Sequence, residues 1–114
     1  MKRLITGFLF ISFCSCSPEE EKVRIPEGVL PMDSVAAVLR DIHELESSLM
    51  VASVRQDTAQ NLYRMLEPEI FQKHRLDTGR FNRSLRFYAS NPFLLDSLYH
   101  VVLRKTDSSA VFKP

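Results

Sequence analysis

The 114-residue chain has no tryptophan, only three glycines, and two cysteines, both within its first sixteen positions. Scarce glycine argues against a phosphate-cradling loop and against a turn-rich β-barrel. Cys14 and Cys16 are separated by one residue, a poor spacing for a structural disulfide, and no third cysteine exists to pair with either. Charge of one sign is also missing: 15 basic and 14 acidic side chains leave +1, which offers no global field for attracting nucleic acid. At 13.2 kDa the chain is one small domain, which excludes an enzyme with separate cofactor and substrate halves. What is present, 45% hydrophobic and 25% charged residues with eight phenylalanines, is the composition of an ordinary globular protein.

The one long apolar run, Leu4 to Phe13, follows Met1-Lys2-Arg3 and is too short to span a bilayer, for which about 20 residues are needed. It reads as a secretory signal. Bacterial lipoprotein signals end in a small residue before a cysteine that becomes the acylated N-terminus. Cys16 fits because Ser15 precedes it, whereas Cys14 would put Phe13 in the small-residue position. The alternatives are a plain secretory signal with incidental cysteines and a true membrane anchor. The expected organisation is a signal peptide over 1–15, an acylated Cys16 opening a flexible acidic and proline-containing linker over 16–30, a helical domain over 31–105 and a loose tail over 106–114. Without Lys2 and Arg3 the mature chain has 13 basic and 14 acidic side chains, formally −1, and no cysteine free for other chemistry. Ser17 after the cysteine, in place of aspartate, favours outer-membrane delivery. Glu19-Glu20-Glu21 reads either as a solvated spacer or as a surface-export signal, so the periplasmic and surface-exposed sides both stay open.

Beyond Pro31 the apolar spacing predicts an all-α fold of three or four helices. Val35, Val38, Leu39, Ile42, Leu45 and Leu49 make one helix face from Asp33 to about Arg55, with Asp33 or Met32 at the cap position. Leu62, Tyr63, Leu66, Ile70 and Phe71 continue the pattern from Thr58 to His74. Pro68 there implies either two short helices meeting near Glu67 or one kinked helix. Asp77 or Thr78 is placed to cap a third helix carrying Phe81, Leu85 and Tyr88, and Asn91 with Pro92 to open a fourth carrying Leu95, Leu98, Tyr99, Val102 and Leu103. No useful β-alternation and no internal repeat is present.

The run Phe87-Tyr88-Ala89-Ser90-Asn91-Pro92, followed by Leu95, Leu98 and Tyr99, resembles the C-terminal half of an uncharacterised Bacteroidetes lipoprotein family, domain of unknown function 4296. Asp41-Ile42-His43 with Glu46, after Pro31, resembles that family's first helix, and the likeness covers most of residues 26–105. Where relatives often have Tyr-Gly after the second helix, this chain has His74-Arg75. The resemblance implies an envelope lipoprotein with a small helical domain and implies no activity.

Candidate chemistry centres on the first helix. At 100° per residue Glu46 falls within the stripe of Val35, Leu39, Ile42 and Leu49, His43 at its margin, and Asp41 pointing away from Glu46. A carboxylate on an apolar face must be paired, protonated or near water. The expected answer is a polar core network in which Glu46 takes a hydrogen bond from Tyr88 or Tyr99, or pairs with an arginine, while His43 caps the core edge. The alternative is a small metal-dependent hydrolase or ligand-binding protein using His43 and Glu46, completed by His74 or His100, although a usable metal site needs three protein ligands. Arg80, Arg83 and Arg86 share the face of the third helix opposite Phe81 and Leu85. They read either as a docking surface for an acidic partner or lipid phosphates, or as a solvated face. No catalytic residue and no metal ligand set can be singled out: Gly-x-Ser-x-Gly, His-Glu-x-x-His and a Walker loop are all absent, and no facing carboxylate pair is distinguished. The expected role is therefore a non-enzymatic interaction or accessory module of the cell envelope. Its only expected prosthetic group is the lipid on Cys16, and its expected partners are the membrane through that lipid and an envelope protein, not nucleic acid.

Overall fold

A computed structural model describes residues 23–110, with side chains as far as Ser108. The expected signal, Cys16 and its acidic run, and residues 111–114 lie outside the described residues. Four α-helices account for the secondary structure of the rest: α1 (Met32–Val51), α2 (Gln56–His74), α3 (Thr78–Ala89) and α4 (Pro92–Ala110), with no strand among the described residues. The all-α expectation is met, in its four-helix form.

The helix ends follow local chemistry, with one departure from expectation. Neither Met32 nor Asp33 caps α1. Pro31 holds that position in extended conformation with no side-chain cap bond, because the preceding Leu30 is fastened to α3 and the helix starts one residue early. Asp33 instead lies in the first turn, where a carboxylate suits the helix dipole, 3.5 Å from Lys105. α2 is one uninterrupted helix through Pro68. The carbonyl four residues earlier, that of Arg64, loses its donor, but Arg64 and Pro68 are both exposed, so water can take the place of the missing amide. α2 closes in a Schellman turn: Leu76 N–H donates to Phe71 O and Arg75 N–H to Gln72 O, with Arg75 left-handed at φ 52°. Asp77 caps α3 by accepting from the Arg80 amide at 2.9 Å, and Asn91 caps α4 by accepting from the Phe93 and Leu94 amides.

α1 is the organising element and packs most extensively on α4, then on α2. α4 runs antiparallel to it, Lys105 reaching Asp33 at the start of α1. α2 does likewise, its last residues His74 and Lys73 meeting Asp41 at the middle of α1. The fully buried residues lie on the first half of α1 (Val35, Ala36, Val38), on Phe71, Phe81 and Tyr88, and on Leu98 and Val102, joined by Leu30. Phe71 and Phe81 meet edge to face, 5.3 Å between ring centroids, which ties the end of α2 to α3.

The packed unit overruns both expected boundaries. Leu30 is buried, so the fold begins before Pro31, and α4 continues to Ala110 where a loose tail after Lys105 was expected. Side-chain fastening explains the first; in the second, no glycine or proline interrupts α4 before Ala110. Tyr99 and Leu103 were expected in the core but are exposed. The inner stripe of α4 is instead Leu94, Leu98, Val101 and Val102.

Burial divides the molecule into two parts. From His43 through Ile70, the second half of α1 and nearly all of α2, no residue is buried. Leu45, Leu49, Leu62 and Leu66 make a half-buried seam, and Met50, Val51 and Met65 are 82%, 84% and 72% exposed. This part is a two-helix arm extending from a four-helix body.

Candidate functional site

The polar centre of the body is Asp41, not Glu46. Val38, Asp41 and Leu45 follow one another at spacings of three and four, which places Asp41 on a covered face of α1 at 7% exposure. Its carboxylate receives four hydrogen bonds. Arg40 donates twice to Oδ1, from Nε at 2.9 Å and Nη2 at 2.6 Å, while Lys73 Nζ at 2.9 Å and His74 Nε2 at 2.7 Å meet Oδ2. Burial alone would raise the carboxyl's pKa. The hydrogen bonds from Lys73, Arg40 and His74 outweigh it and hold the group at about 2. With every lone-pair direction occupied and the proton lost, this carboxylate is neither an acid nor a base near neutral pH, and it has no free oxygen lone pair for a metal. It acts as a lock between the middle of α1 and the end of α2.

A second construction fastens the segment before α1. Ser84, wholly buried, accepts from Leu30 N–H at 2.8 Å and donates to Arg80 O at 2.8 Å. One turn further along, the wholly buried Tyr88 donates its hydroxyl to Leu30 O at 2.7 Å, and burial raises the phenol's pKa. Both backbone groups of Leu30 are thus satisfied from one face of α3. Arg80 Nε adds a bond to Gly28 O at 3.1 Å, beyond a turn in which Val29 N–H reaches Pro26 O and Gly28 takes φ 89°, open to glycine at little cost.

The expected polar core network is therefore corrected. Glu46 and His43 are exposed, on a stretch of α1 in which no residue is buried. Tyr88 serves Leu30, and Tyr99 is 54% exposed. Asp41, expected to point away from Glu46, is the buried carboxylate. His74 is committed to Asp41, His100 lies 3.5 Å from Asp96, and among the described residues no cluster of three or more His, Cys, Asp or Glu side chains could hold a metal. Of the three α3 arginines, Arg80 is tied to Gly28 O, while Arg83 and Arg86 are exposed.

Surface depressions among the described residues include the following. One, between α1 and α4, is lined by Asp33, Arg40, Arg104 and Lys105, but Arg40 is bonded to Asp41 and Lys105 to Asp33. Another, at the start of α2, is an open polar surface around Arg55 and Asp57. The third is a groove of about 430 Å³ on the arm, floored by Leu49, Met50, Val54 and Ala59 and edged by Glu46 and Tyr63. Tyr63 OH donates to Glu67 Oε1 at 3.3 Å, and burial together with the Glu67 and Glu46 carboxylates raises its pKa. Apolar spacing puts Leu49 and Tyr63 on the inner faces of their helices, and the sequence signal for the groove is Met50, Val51 and Met65, large apolar residues off those stripes.

Fold and site together define a small helical domain whose buried polar groups are spent on structure. The chain belongs to the family described as a domain of unknown function (DUF4296), whose model matches residues 26–110. The match includes Leu30 and its turn and runs to the end of α4, the same limits as the packed unit. Comparison with curated proteins and with solved structures gives no match.

Proposed function

We propose that this protein is a lipoprotein anchored through Cys16 in the outer membrane, its helical domain a non-enzymatic interaction or accessory module of the cell envelope. The anchoring rests on the sequence: a basic start, a short apolar run and Ser15-Cys16. No helix among the described residues is long and apolar enough to cross a membrane. The observation that carries the module reading is the arm, about thirty consecutive residues of helix and turn with no buried side chain and with Met50, Val51 and Met65 in solvent. Half-covered apolar helices of this kind are characteristic of surfaces completed by a partner. The committed state of Asp41, His74 and Tyr88 supports a role without chemistry. Exposed Arg83 and Arg86 supply a second surface, for an acidic partner or lipid phosphates.

The test is metabolic labelling with palmitate and photocrosslinking in native membranes. Wild type is expected to take up label and to give a specific crosslinked product; Cys16→Ala is expected to lose the label and leave the membrane fraction. Retention of Cys16→Ala in the membrane without label, or products identical in kind to a non-specific background, would overturn the proposal.

A further inference from the structure

We infer that the groove on the arm binds a basic amphipathic helix of a partner protein; this deepens the module reading and rests on it. Charge is partitioned between the two parts of the molecule. Residues 42–70 hold Glu44, Glu46, Asp57, Glu67 and Glu69 against Arg55 and Arg64, a net −3, while the remaining described residues hold nine basic and six acidic side chains, a net +3. The acidity of the arm meets its apolar surface at one place. Leu49, Met50, Val54 and Ala59 form the floor, Glu46 stands at the edge, and Tyr63 carries a hydroxyl bonded to Glu67.

A groove between two antiparallel helices is filled by a third helix, whose apolar stripe completes the seam. Lysine or arginine flanking that stripe would lay its aliphatic stem along Met50 and Leu49 and bring its cation to Glu46 and Glu67. The arm's share of α1 and α2 is 15 to 22 Å long at about 1.5 Å per residue, enough for three to four turns of the visitor.

A second copy of this chain fits less well. Two arms facing each other bring −3 against −3. The body is basic, but α3, which carries Arg83 and Arg86, exposes no large apolar side chain, and on α4 the exposed Phe93, Tyr99 and Leu103 stand among Asp96 and Asp107 as well as Arg104.

The experiment uses the full chain in detergent and two labelled peptides of three heptads, both with leucine at a and d, one with lysine and one with glutamate at e and g. Fluorescence anisotropy at low salt is expected to show the lysine peptide binding at least tenfold more tightly than the glutamate peptide, with the gap narrowing as salt is raised. The double variant Glu46→Lys/Glu67→Lys is expected to reverse the preference. Met50→Asp, at a position 82% exposed, is expected to weaken lysine-peptide binding tenfold or more, with circular dichroism confirming that the variant is folded. Equal affinities for the two peptides, no binding of the lysine peptide, or indifference to Met50→Asp would overturn the inference. So would concentration-dependent dimerisation that is lost in the double variant, which would assign the groove to a second copy. Photocrosslinkers at Met50 and at Arg83 in native membranes separate this inference from the broader reading. A specific product from Arg83 alone leaves the envelope module standing and removes the arm's role. Charge-selective peptide binding with only non-specific native products does the opposite.

Discussion

Replacing Asp41 with asparagine removes one negative charge from the centre of the body while keeping the side chain's shape. The carboxyl sits at about 2 in the folded protein against an ordinary 3.8, and each unit of such a shift corresponds to about 1.4 kcal/mol. Two of the donors are well covered, but Lys73 is 65% exposed and its contribution is screened by water. The expected loss in Asp41→Asn at pH 7 is about 2 kcal/mol, a fall in Tm on the order of 10 °C for a domain this size. Because the folded-state pKa lies below the unfolded one, the unfolded chain binds more protons between the two values, and stability rises with pH across that window. The contribution is complete above about pH 5, declines as pH falls through 4 and 3, and is gone near pH 2. Urea denaturation followed by far-ultraviolet circular dichroism, for wild type and variant in steps from pH 7 to 2.5, reads this directly. A gap between the two proteins that stays constant down to pH 2.5, or one below about 0.5 kcal/mol at pH 7, would refute the assignment of Asp41 as a charged lock.

The Leu30 clamp predicts that Tyr88→Phe and Ser84→Ala each lower stability by about 1–3 kcal/mol, since each leaves a buried backbone group of Leu30 unpaired; chemical denaturation checks both, and a loss under 0.3 kcal/mol in both would dissolve the clamp. Arg75→Gly is expected to stabilise by about 0.5–1 kcal/mol by relieving a left-handed arginine, measured in the same way. Hydrogen exchange is expected to show amides of residues 45–66 exchanging through openings that cost several kcal/mol less than those protecting Val38, Tyr88 and Leu98, and uniform protection along α1 would contradict the division into arm and body.

Helix number and order were legible because apolar spacing and capping chemistry are local: Asp77 and Asn91 cap as their positions require, and Val35, Val38, Phe71, Phe81, Tyr88, Leu98 and Val102 are buried as their spacing requires. Burial along α1 was not, for a reason that periodicity cannot express. Periodicity identifies the apolar face but assumes that neighbouring elements cover it evenly from end to end. In α1 the first half is surrounded, so that even Ala36 and Asp41 are covered, whereas the second half has no buried residue and leaves Glu46 in water although Glu46 lies on the same face as Ile42 and Leu49. Of the two readings that Pro68 allows, two short helices or one helix through it, the structure has the single helix. The clamp was hidden because Ser84 and Tyr88 act on backbone atoms of Leu30, more than fifty positions away, and backbone partners leave no mark on composition.

Clamp, lock and arm together order the molecule along α1. The clamp holds the chain entering α1 against α3, on the element that bears Arg80, Arg83 and Arg86, while the lock fixes α2 to the midpoint of α1 and leaves both helices unsupported beyond it. Twenty residues of helix put the tip of the arm about 30 Å from that entry point. Charge and burial therefore change at the same place on α1, just past the lock at Asp41: on one side a buried body with net basic charge, on the other a half-covered arm with net acidic charge.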